Sequence, residues 1–219
     1  MAQTARALDL AHGAAVLGQA AALRPLDRRE LPIDTVELAR SLIGKTLVRD
    51  LRGVQLSGRI VETEAYPVGD AAGHAFRGET RANRALFLER GRAYVYFIYG
   101  SCWCVNVTSE IEGVGGGVLL RALEPLSGVA QMKRNRRVTR ELDVARGPGR
   151  LAQALRVTGT LDGVDLCNHA AALWLADAVR TAAHPGISTR IGLSREAHRK
   201  LRFYERGSAF VSGPAYLRK

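Results

Sequence analysis

The chain contains little cysteine, and none of it is arranged to bind a metal or to form a disulfide framework. Its three cysteines, in 219 residues, are Cys102, Cys104 and Cys167. An odd number without a C-x-x-C pair argues against both a set of disulfides and a zinc site. Cys102 and Cys104 have the spacing of neighbours on one face of a strand, which favours small buried apolar side chains. We therefore expect no metal.

Long apolar runs and nucleotide-binding motifs are also absent. No apolar stretch of the sequence approaches the roughly 20 residues of a membrane-spanning helix, so no membrane partner is expected. The sequence has no G-x-S-x-G elbow, no P-loop and no dinucleotide fingerprint. It also lacks the H-x-E and P-C-x-x-C segments of a zinc deaminase. These absences predict a protein that works without a cofactor.

Lysine is scarce although the chain is strongly basic. Only 4 of the 32 basic residues are Lys, and the net charge is +11. Such a surplus favours a polyanionic partner, because each phosphate that is neutralised releases a counterion. The codon bias of a GC-rich genome would also explain the excess of arginine, and charge alone does not choose between the two explanations.

Composition predicts one domain after a short leader. Hydrophobic residues make up 47% of the chain, which is enough for one sizeable core. Residues 1–30 are rich in alanine, but Arg6, Asp9 and His12 interrupt the apolar stretch, so a secretory signal is a poor fit. We expect residues 1–30 to be a leader, either disordered or a short helix, and residues 31–219 to form a cytoplasmic domain (nuclear in a eukaryote).

The order of apolar segments and turns predicts an α+β domain with a largely antiparallel sheet. Asp34 followed by Glu37 has the spacing of a helix N-terminus. Residues 93–109 are the most strand-like part of the chain, with a hairpin turn at 99–101. Further strands are predicted at 46–48, 56–65, 118–123 and 209–211, helices at 150–155 and from Ser194 to about Tyr204, and an exposed basic segment at 131–146.

Two carboxylates lie in one predicted strand. Glu62, Glu64 and Tyr66 point to one face of that strand, because side chains alternate along it. Carboxylates inside a strand rich in β-branched residues are costly to bury unless they are paired or used. Pairing with arginines such as Arg59 or Arg121 and a catalytic role are both compatible with this pattern, and the residues alone do not say which glutamate would act.

A tyrosine cluster follows. Tyr94 and Tyr96 share a strand face, whereas Tyr99 falls at the predicted hairpin turn. For Tyr94 alone, ordinary packing in a sheet is the simpler interpretation. An exposed aromatic residue at a turn favours insertion into a stack of bases, where it would fill the gap left by an everted nucleotide.

A basic region surrounds a Gly-Pro-Gly turn. Arg146 and Arg150 flank Gly147, Pro148 and Gly149, where a helix is predicted to begin. Free N–H groups at a helix N-terminus are able to hold a phosphate. A solvated loop is the alternative interpretation.

Taken together, several segments resemble the alkyladenine (3-methyladenine) DNA glycosylase family. They are residues 59–66, His74, residues 94–100, Asn106 and residues 118–125, and the resemblance covers about residues 31–213. It implies a single α+β domain built on a curved, open-barrel-like, largely antiparallel sheet, with surrounding helices and a protruding β-hairpin that enters the DNA minor groove.

The resemblance also implies roles in a base pocket. Glu64 corresponds to the general base that activates water. Tyr66 and His74 would form one wall around a flipped purine, with Tyr96 as the other wall. Asn106 would crowd the purine 2-position and disfavour the amino group of guanine.

Contacts with DNA are implied in the same way. Tyr99 corresponds to the intercalating residue, and Arg121 and Thr80 to contacts with the DNA backbone. From the basic turn we add Arg146, Gly147 and Arg150 as backbone contacts. The loop between Tyr66 and His74 is shorter than in the vertebrate form of the family, which leaves the width of the pocket open.

The implied function is removal of alkylated or deaminated purines from double-stranded DNA by a monomeric enzyme. The lesions are those of the 3-methyladenine, 7-methylguanine, hypoxanthine and ethenoadenine class. With four lysines and none in the motifs, a Schiff-base step is not expected, so the enzyme would be monofunctional. Two alternatives are a non-catalytic protein that binds damaged DNA and a formyltransferase-like binding module that shares only the fold.

Overall fold

The computed structural model describes residues 23–98, 100–177 and 185–215 of the chain. Within these ranges strands dominate the middle of the sequence, and short helices precede and follow them. The strands are Thr46–Leu51 (β1), Val54–Tyr66 (β2), Ala93–Ile98 (β3), Cys102–Thr108 (β4), Gly117–Ser127 (β5), Leu173–Ala176 (β6), Gly186–Ser188 (β7) and Arg202–Tyr204 (β8). The α-helices are Thr35–Ser41 (α1), Val129–Arg136 (α2) and Pro148–Ala154 (α3).

All eight strands join one curled antiparallel sheet, which confirms the predicted α+β class. The order of six strands is β3-β4-β5-β2-β1-β6, and the β7–β8 pair joins through β8 to β2. Strand β2 is therefore central: β5 pairs along one side of it, while β1 and then β8 pair along the other. Its register with β5 shifts between Ile60 and Glu62 and again between Glu62 and Thr63. Such irregularities re-aim side chains, and here they immediately precede Glu64.

The main core lies between the sheet and the helices. Leu38 of α1, Leu42 at its C-cap, Ile60 of β2 and Leu151 of α3 are fully buried and belong to one apolar cluster. The side chain of Thr63 donates to the backbone oxygen of Ala39 at 2.8 Å, which ties α1 to β2. The packed region begins before residue 31, since Leu26 is buried in this core and Arg28–Glu30 form a short 3-10 helix.

Several local predictions are confirmed. The Asp34 side chain accepts from the backbone N–H groups of Val36 and Glu37, at 2.8 and 2.9 Å, and α1 follows it. Strands β1 and β2 are longer than predicted and meet at the turn formed by Arg52 and Gly53, both with positive φ. Helix α3 begins two residues earlier than predicted because Pro148 occupies its first position, where a missing N–H costs nothing.

Three predictions near the ends of the sheet are wrong. Residues 194–200 form bends and turns instead of a helix, and Arg202–Tyr204 form β8, because Phe203 is fully buried against β2. Residues 209–211 form no strand. The basic segment 131–146 is only partly exposed, since α2 extends into it and buries Met132.

Candidate active site

A cavity of about 420 Å³ opens where β2 ends, within the range of small-molecule pockets. Strands β3, β4 and β5 supply one side of it, and the loops after β2 and β7 supply the other. Its lining includes the four residues predicted for a base pocket, which are Tyr66, His74, Tyr96 and Asn106, together with their neighbours Tyr94, Cys104, Arg121 and Ile191. Residues that are distant in sequence therefore meet around a space large enough for a purine.

Glu64 lies directly behind the wall of this cavity. Its side chain is fully buried, while its three polar partners line the cavity. Oε1 accepts from the backbone N–H of Ile191 at 2.7 Å, Oε2 accepts from the Tyr66 hydroxyl at 3.0 Å, and Nη1 of Arg121 forms an ion pair with Oε2 at 3.2 Å. A carboxylate has about four acceptor positions, so these contacts leave one position unused.

Glu62 is equally buried but is saturated. Oε1 accepts from Arg121 at 3.1 Å, from Arg202 at 3.0 Å and from the Ser212 hydroxyl at 2.9 Å. Oε2 accepts from the backbone N–H of Ser212 at 2.7 Å. With four hydrogen bonds, about as many as a carboxylate has acceptor positions, this side chain is held firmly in place.

The arginine partners of these acids were predicted only in part. Arg121 does contact both carboxylates, as one interpretation of the strand expected. Arg59 does not: it is buried against Glu124 and Glu205 instead. The bulged register between β2 and β5 separates the Arg59 side chain from those of Glu62 and Glu64.

Three aromatic side chains from the β3 strand and the loop before it form a contiguous cluster. Tyr94 and Tyr96 stack with ring centroids 5.2 Å apart and 22° between their planes. His74 meets Tyr96 edge-on at 4.5 Å, and its Nδ1 lies 2.9 Å from the Tyr94 hydroxyl. Partial burial lowers the pKa of His74, which favours the neutral imidazole near pH 7.

This contact corrects one feature expected from the resemblance. A purine stacked between two rings needs about 7 Å between them, twice the usual carbon–carbon contact distance. Because His74 and Tyr96 touch, they cannot be opposite walls around a base in this structure. They form one wall together.

Tyr66 stands apart from that cluster, at the end of β2. Its hydroxyl donates to Glu64, and the guanidinium of Arg190 covers one face of its ring at 4.6 Å. Burial and the charge of Glu64 raise the pKa of the Tyr66 hydroxyl above its usual range. It therefore stays a donor to Glu64 at neutral pH.

Asn106 is buried on β4, opposite Tyr94 and Leu119. Its amide nitrogen lies 3.4 Å from the backbone oxygen of Tyr94, and the side chain contributes to the cavity wall. A polar group is thus fixed at the base of the aromatic cluster.

The residues that are predicted to contact DNA differ in their surroundings. Tyr99 lies outside the described residues. Thr80 is exposed, donates to Asn83 at 2.9 Å and borders a shallow second cavity beside the first. Arg121 is buried and contacts both acids, which favours a role in holding the carboxylates over the expected contact with the DNA backbone.

The basic turn lies at the rim of the main cavity. Pro148 and Gly149 line it, and Arg146 and Arg150 flank Asp143 at 3.7 and 3.8 Å. Gly147 has φ 135°, a conformation that side chains strongly disfavour.

The sequence analysis missed the contribution of the C-terminal segment. Arg190, Ile191, Arg202 and Ser212 all contact the site, although the region was interpreted as a helix and a strand. One signal was present: Leu201 and Phe203 alternate with Arg202 and Tyr204, which is typical of a strand with one buried face.

Two absences apply to the described ranges. Residues 23–98, 100–177 and 185–215 contain no group of three or more His, Cys, Asp or Glu side chains placed to hold a metal ion. In the same part of the chain no helix is long and apolar enough to cross a membrane.

The sequence matches the methylpurine-DNA glycosylase family over residues 29–209. It is also similar to three proteins that share the name "Putative 3-methyladenine DNA glycosylase". The protein of Mesorhizobium japonicum is 60% identical over 89% of this chain and 93% of its own length. The proteins of Paraburkholderia phytofirmans and Koribacter versatilis are 52% and 43% identical, over 88% and 90% of this chain and 90% and 97% of their own.

Proposed function

The chain belongs to the methylpurine-DNA glycosylase family, and we propose that it is a monofunctional 3-methyladenine DNA glycosylase. It turns a damaged purine out of double-stranded DNA into the cavity beside Tyr66 and hydrolyses the bond between the base and the sugar. One observation carries this proposal: the buried carboxylate of Glu64, with one unused acceptor position, lies behind the wall of an aromatic cavity large enough for a purine.

The chemistry follows from the leaving group. An alkylated purine that carries a positive charge already weakens its bond to C1′, so hydrolysis needs a positioned nucleophile more than a strong acid. Glu64 takes a proton from a water molecule, the water oxygen bonds to C1′, and the electrons of the broken C1′–N bond leave with the purine. Its negative charge also stabilises the oxocarbenium-like sugar.

The orientation of Glu64 supports this assignment. The N–H of Ile191, the Tyr66 hydroxyl and Arg121 fix both oxygens. Glu62 is saturated by its own partners, so it acts as a support for Arg121 and not as the base.

The base itself would lie between Tyr66 and the wall formed by His74 and Tyr96. Stacking of a cationic purine on electron-rich rings is favourable, and weakly paired lesions cost less to extrude. Asn106, fixed at the cavity wall, would crowd the 2-amino group of guanine. Tyr99 would fill the gap in the duplex, and Thr80, Arg146, Gly147 and Arg150 would contact the phosphates around it.

The assignment as a monofunctional enzyme rests on the absence of a suitable amine. Within the described ranges no lysine lines the cavity, so a Schiff base with the sugar is not expected. The proposed substrates are alkylated and deaminated purines, among them 3-methyladenine, 7-methylguanine, hypoxanthine and ethenoadenine, and the protein would act as a monomer.

Single-turnover release of the base from duplexes carrying each lesion tests the proposal. Wild type should release at least one of them, and Glu64→Gln should lose about 10²–10⁴-fold in rate, the usual contribution of a general base, while it still binds the lesion duplex. Glu37→Gln, an exposed glutamate on α1, is the matched control and should behave as wild type.

Two outcomes would decide against the proposal. If wild type binds the lesion duplexes but releases none of the four bases, the protein is a non-catalytic sensor of damage. If Glu64→Gln keeps the wild-type rate, another group is the base.

A further inference from the structure

A buried ion pair lies beneath the ring of Tyr66. The side chains of Arg190 and Asp70 are both 0% exposed. Nη1 of Arg190 donates to Oδ2 of Asp70 at 2.5 Å and to the backbone oxygen of Ala65 at 2.9 Å, and Nη2 donates to Oδ1 at 3.1 Å. This pair therefore joins the loop after β7 to the loop after β2.

Stability alone is a weak explanation for this pair. The cost of desolvating two charges commonly offsets their attraction, and apolar residues of the same volume are often at least as stable. In addition, Nε of Arg190 is buried without a hydrogen-bond partner in the described part of the chain. The position of the guanidinium thus fits its stacking on Tyr66 better than the satisfaction of its own donors.

The contact between Arg190 and Tyr66 restricts the ring. The guanidinium carbon lies 4.6 Å from the ring centroid, within the range of a cation–π contact. The hydroxyl of Tyr66 is tied to Glu64 at 3.0 Å. With one face covered and the hydroxyl anchored, only the opposite face of the ring remains for a base in the cavity.

We propose that Arg190 is a positioning residue that fixes the Tyr66 ring as the stacking surface for the everted base. This inference rests on the proposed function. A planar guanidinium suits the task because it lies flat on the ring while its fork binds Asp70, whereas an ammonium group offers neither geometry. Arg190 acts through Tyr66 and need not touch the base.

A second arginine on Asp70 provides a matched control. Nη1 of Arg199 lies 3.4 Å from Oδ2 of Asp70, and its side chain is 36% exposed. Arg199 thus shares the carboxylate with Arg190, but its described contacts do not include Tyr66. Because Asp70 keeps one arginine in either single variant, neither substitution leaves a buried carboxylate without a charged partner.

Single-turnover release of ethenoadenine, measured against enzyme concentration, tests the proposal. Arg190→Gln should lower the maximal rate about tenfold, the order of a substitution that misplaces a reacting group. The enzyme concentration at half-maximal rate should change less than twofold, since phosphate contacts dominate affinity. Arg199→Gln should stay within twofold of wild type in both quantities. Arg190→Lys should regain the melting temperature of wild type but not more than a third of its rate.

A double-mutant cycle separates positioning from a purely structural role. In a Tyr66→Ala background, Arg190→Gln should cause less than a twofold further loss, because the residue through which it acts is gone. Equal rates for Arg190→Gln and Arg199→Gln, or a full additional loss in the Tyr66→Ala background, would overturn the inference.

The same data distinguish this inference from the proposed function. If the wild-type protein releases no base, the proposed function is wrong, and so is the inference about Arg190. A wild-type protein that releases the base while Arg190→Gln does so equally well defeats only the role of Arg190. If Arg190→Gln does not fold, Arg190→Lys still carries the test, since a wild-type rate for that variant is incompatible with a need for the planar group.

Discussion

Glu62 and Glu64 lie two positions apart on β2, and both carry a fully buried carboxylate. Alternation along the strand places both side chains on the same face. Neither the burial nor the direction of the side chain therefore distinguishes the two glutamates. Their partners differ: four hydrogen bonds reach Glu62, whereas two hydrogen bonds and an ion pair with Arg121 reach Glu64. The additional contacts of Glu62 come from Arg202 and Ser212 in the C-terminal segment.

Two cysteine thiols should be protected in the folded protein. Burial raises the pKa of both Cys104 and Cys167 to about 11. Relative to an ordinary thiol, a pKa two units higher lowers the reactive thiolate fraction at pH 8 by about a hundredfold. Alkylation by iodoacetamide at pH 8, followed by mass spectrometry of the cysteine peptides, should therefore be about a hundredfold slower at these two residues than in urea-unfolded protein. Comparable rates in both states would contradict their burial.

Among the elements, β2 does most to build the site. It begins at the far hairpin with β1, gains β8 as a neighbour at Glu62–Glu64, and ends at Tyr66 on the cavity wall. The same strand thus carries the proposed base, its buried neighbour and one stacking surface. A strand paired on both sides is rigid, which suits side chains that must keep a fixed geometry.

Helix α3 depends on a glycine where it approaches β4. A Cβ on Gly149 would lie 2.9 Å from Sγ and 3.0 Å from Cβ of Cys102. Gly149→Ala should therefore destabilise the protein by about 1–3 kcal/mol through overpacking, although alanine is otherwise the better helix former. Urea unfolding measures the effect.

Two further variants test that explanation. Arg150→Ala, in the same helix but half exposed, should change the free energy of unfolding by less than about 0.5 kcal/mol. In a Cys102→Ala background the loss caused by Gly149→Ala should shrink, because Sγ is removed. If Gly149→Ala costs the same free energy of unfolding in the Cys102→Ala background, the loss arises from the helix itself and not from the contact with Cys102.

At the scale of the whole molecule, the net charge of +11 leads to a prediction about DNA binding. Arg146 and Arg150 flank Pro148 and Gly149, which line the cavity, whereas Arg24 is engaged by Glu30 and Asp177. Each phosphate contact that is lost should reduce the slope of log K against log salt concentration by about one. The Arg146→Gln/Arg150→Gln double variant should therefore lower the slope by about two, and Arg24→Gln should leave it unchanged. Fluorescence anisotropy with a lesion duplex at several salt concentrations gives the slopes, and an unchanged slope in the double variant would remove both residues from the interface.

The predictions that succeeded concern neighbours in sequence. The N-cap at Asp34 and the shared face of Glu62, Glu64 and Tyr66 both follow from spacing over a few residues. The predictions for the C-terminal part of the chain were wrong because its structure depends on contacts between residues that are distant in sequence. Strands β7 and β8 have three residues each, so the alternation at residues 201–204 is a short signal, and the two strands form because β8 pairs with β2 and β7 pairs with β8.

The sequence by itself determined the composition of the site: which strand carries the carboxylates and where the tyrosines cluster. Only the tertiary structure decided which contacts these residues make. It brings Ile191 to Glu64 across 127 residues and Ser212 to Glu62 across 150. It also puts His74 against Tyr96 and Arg190 beneath Tyr66. Local patterns fix the direction of a side chain, but the donors that reach it come from distant segments, and those meet only when the chain buries its common core.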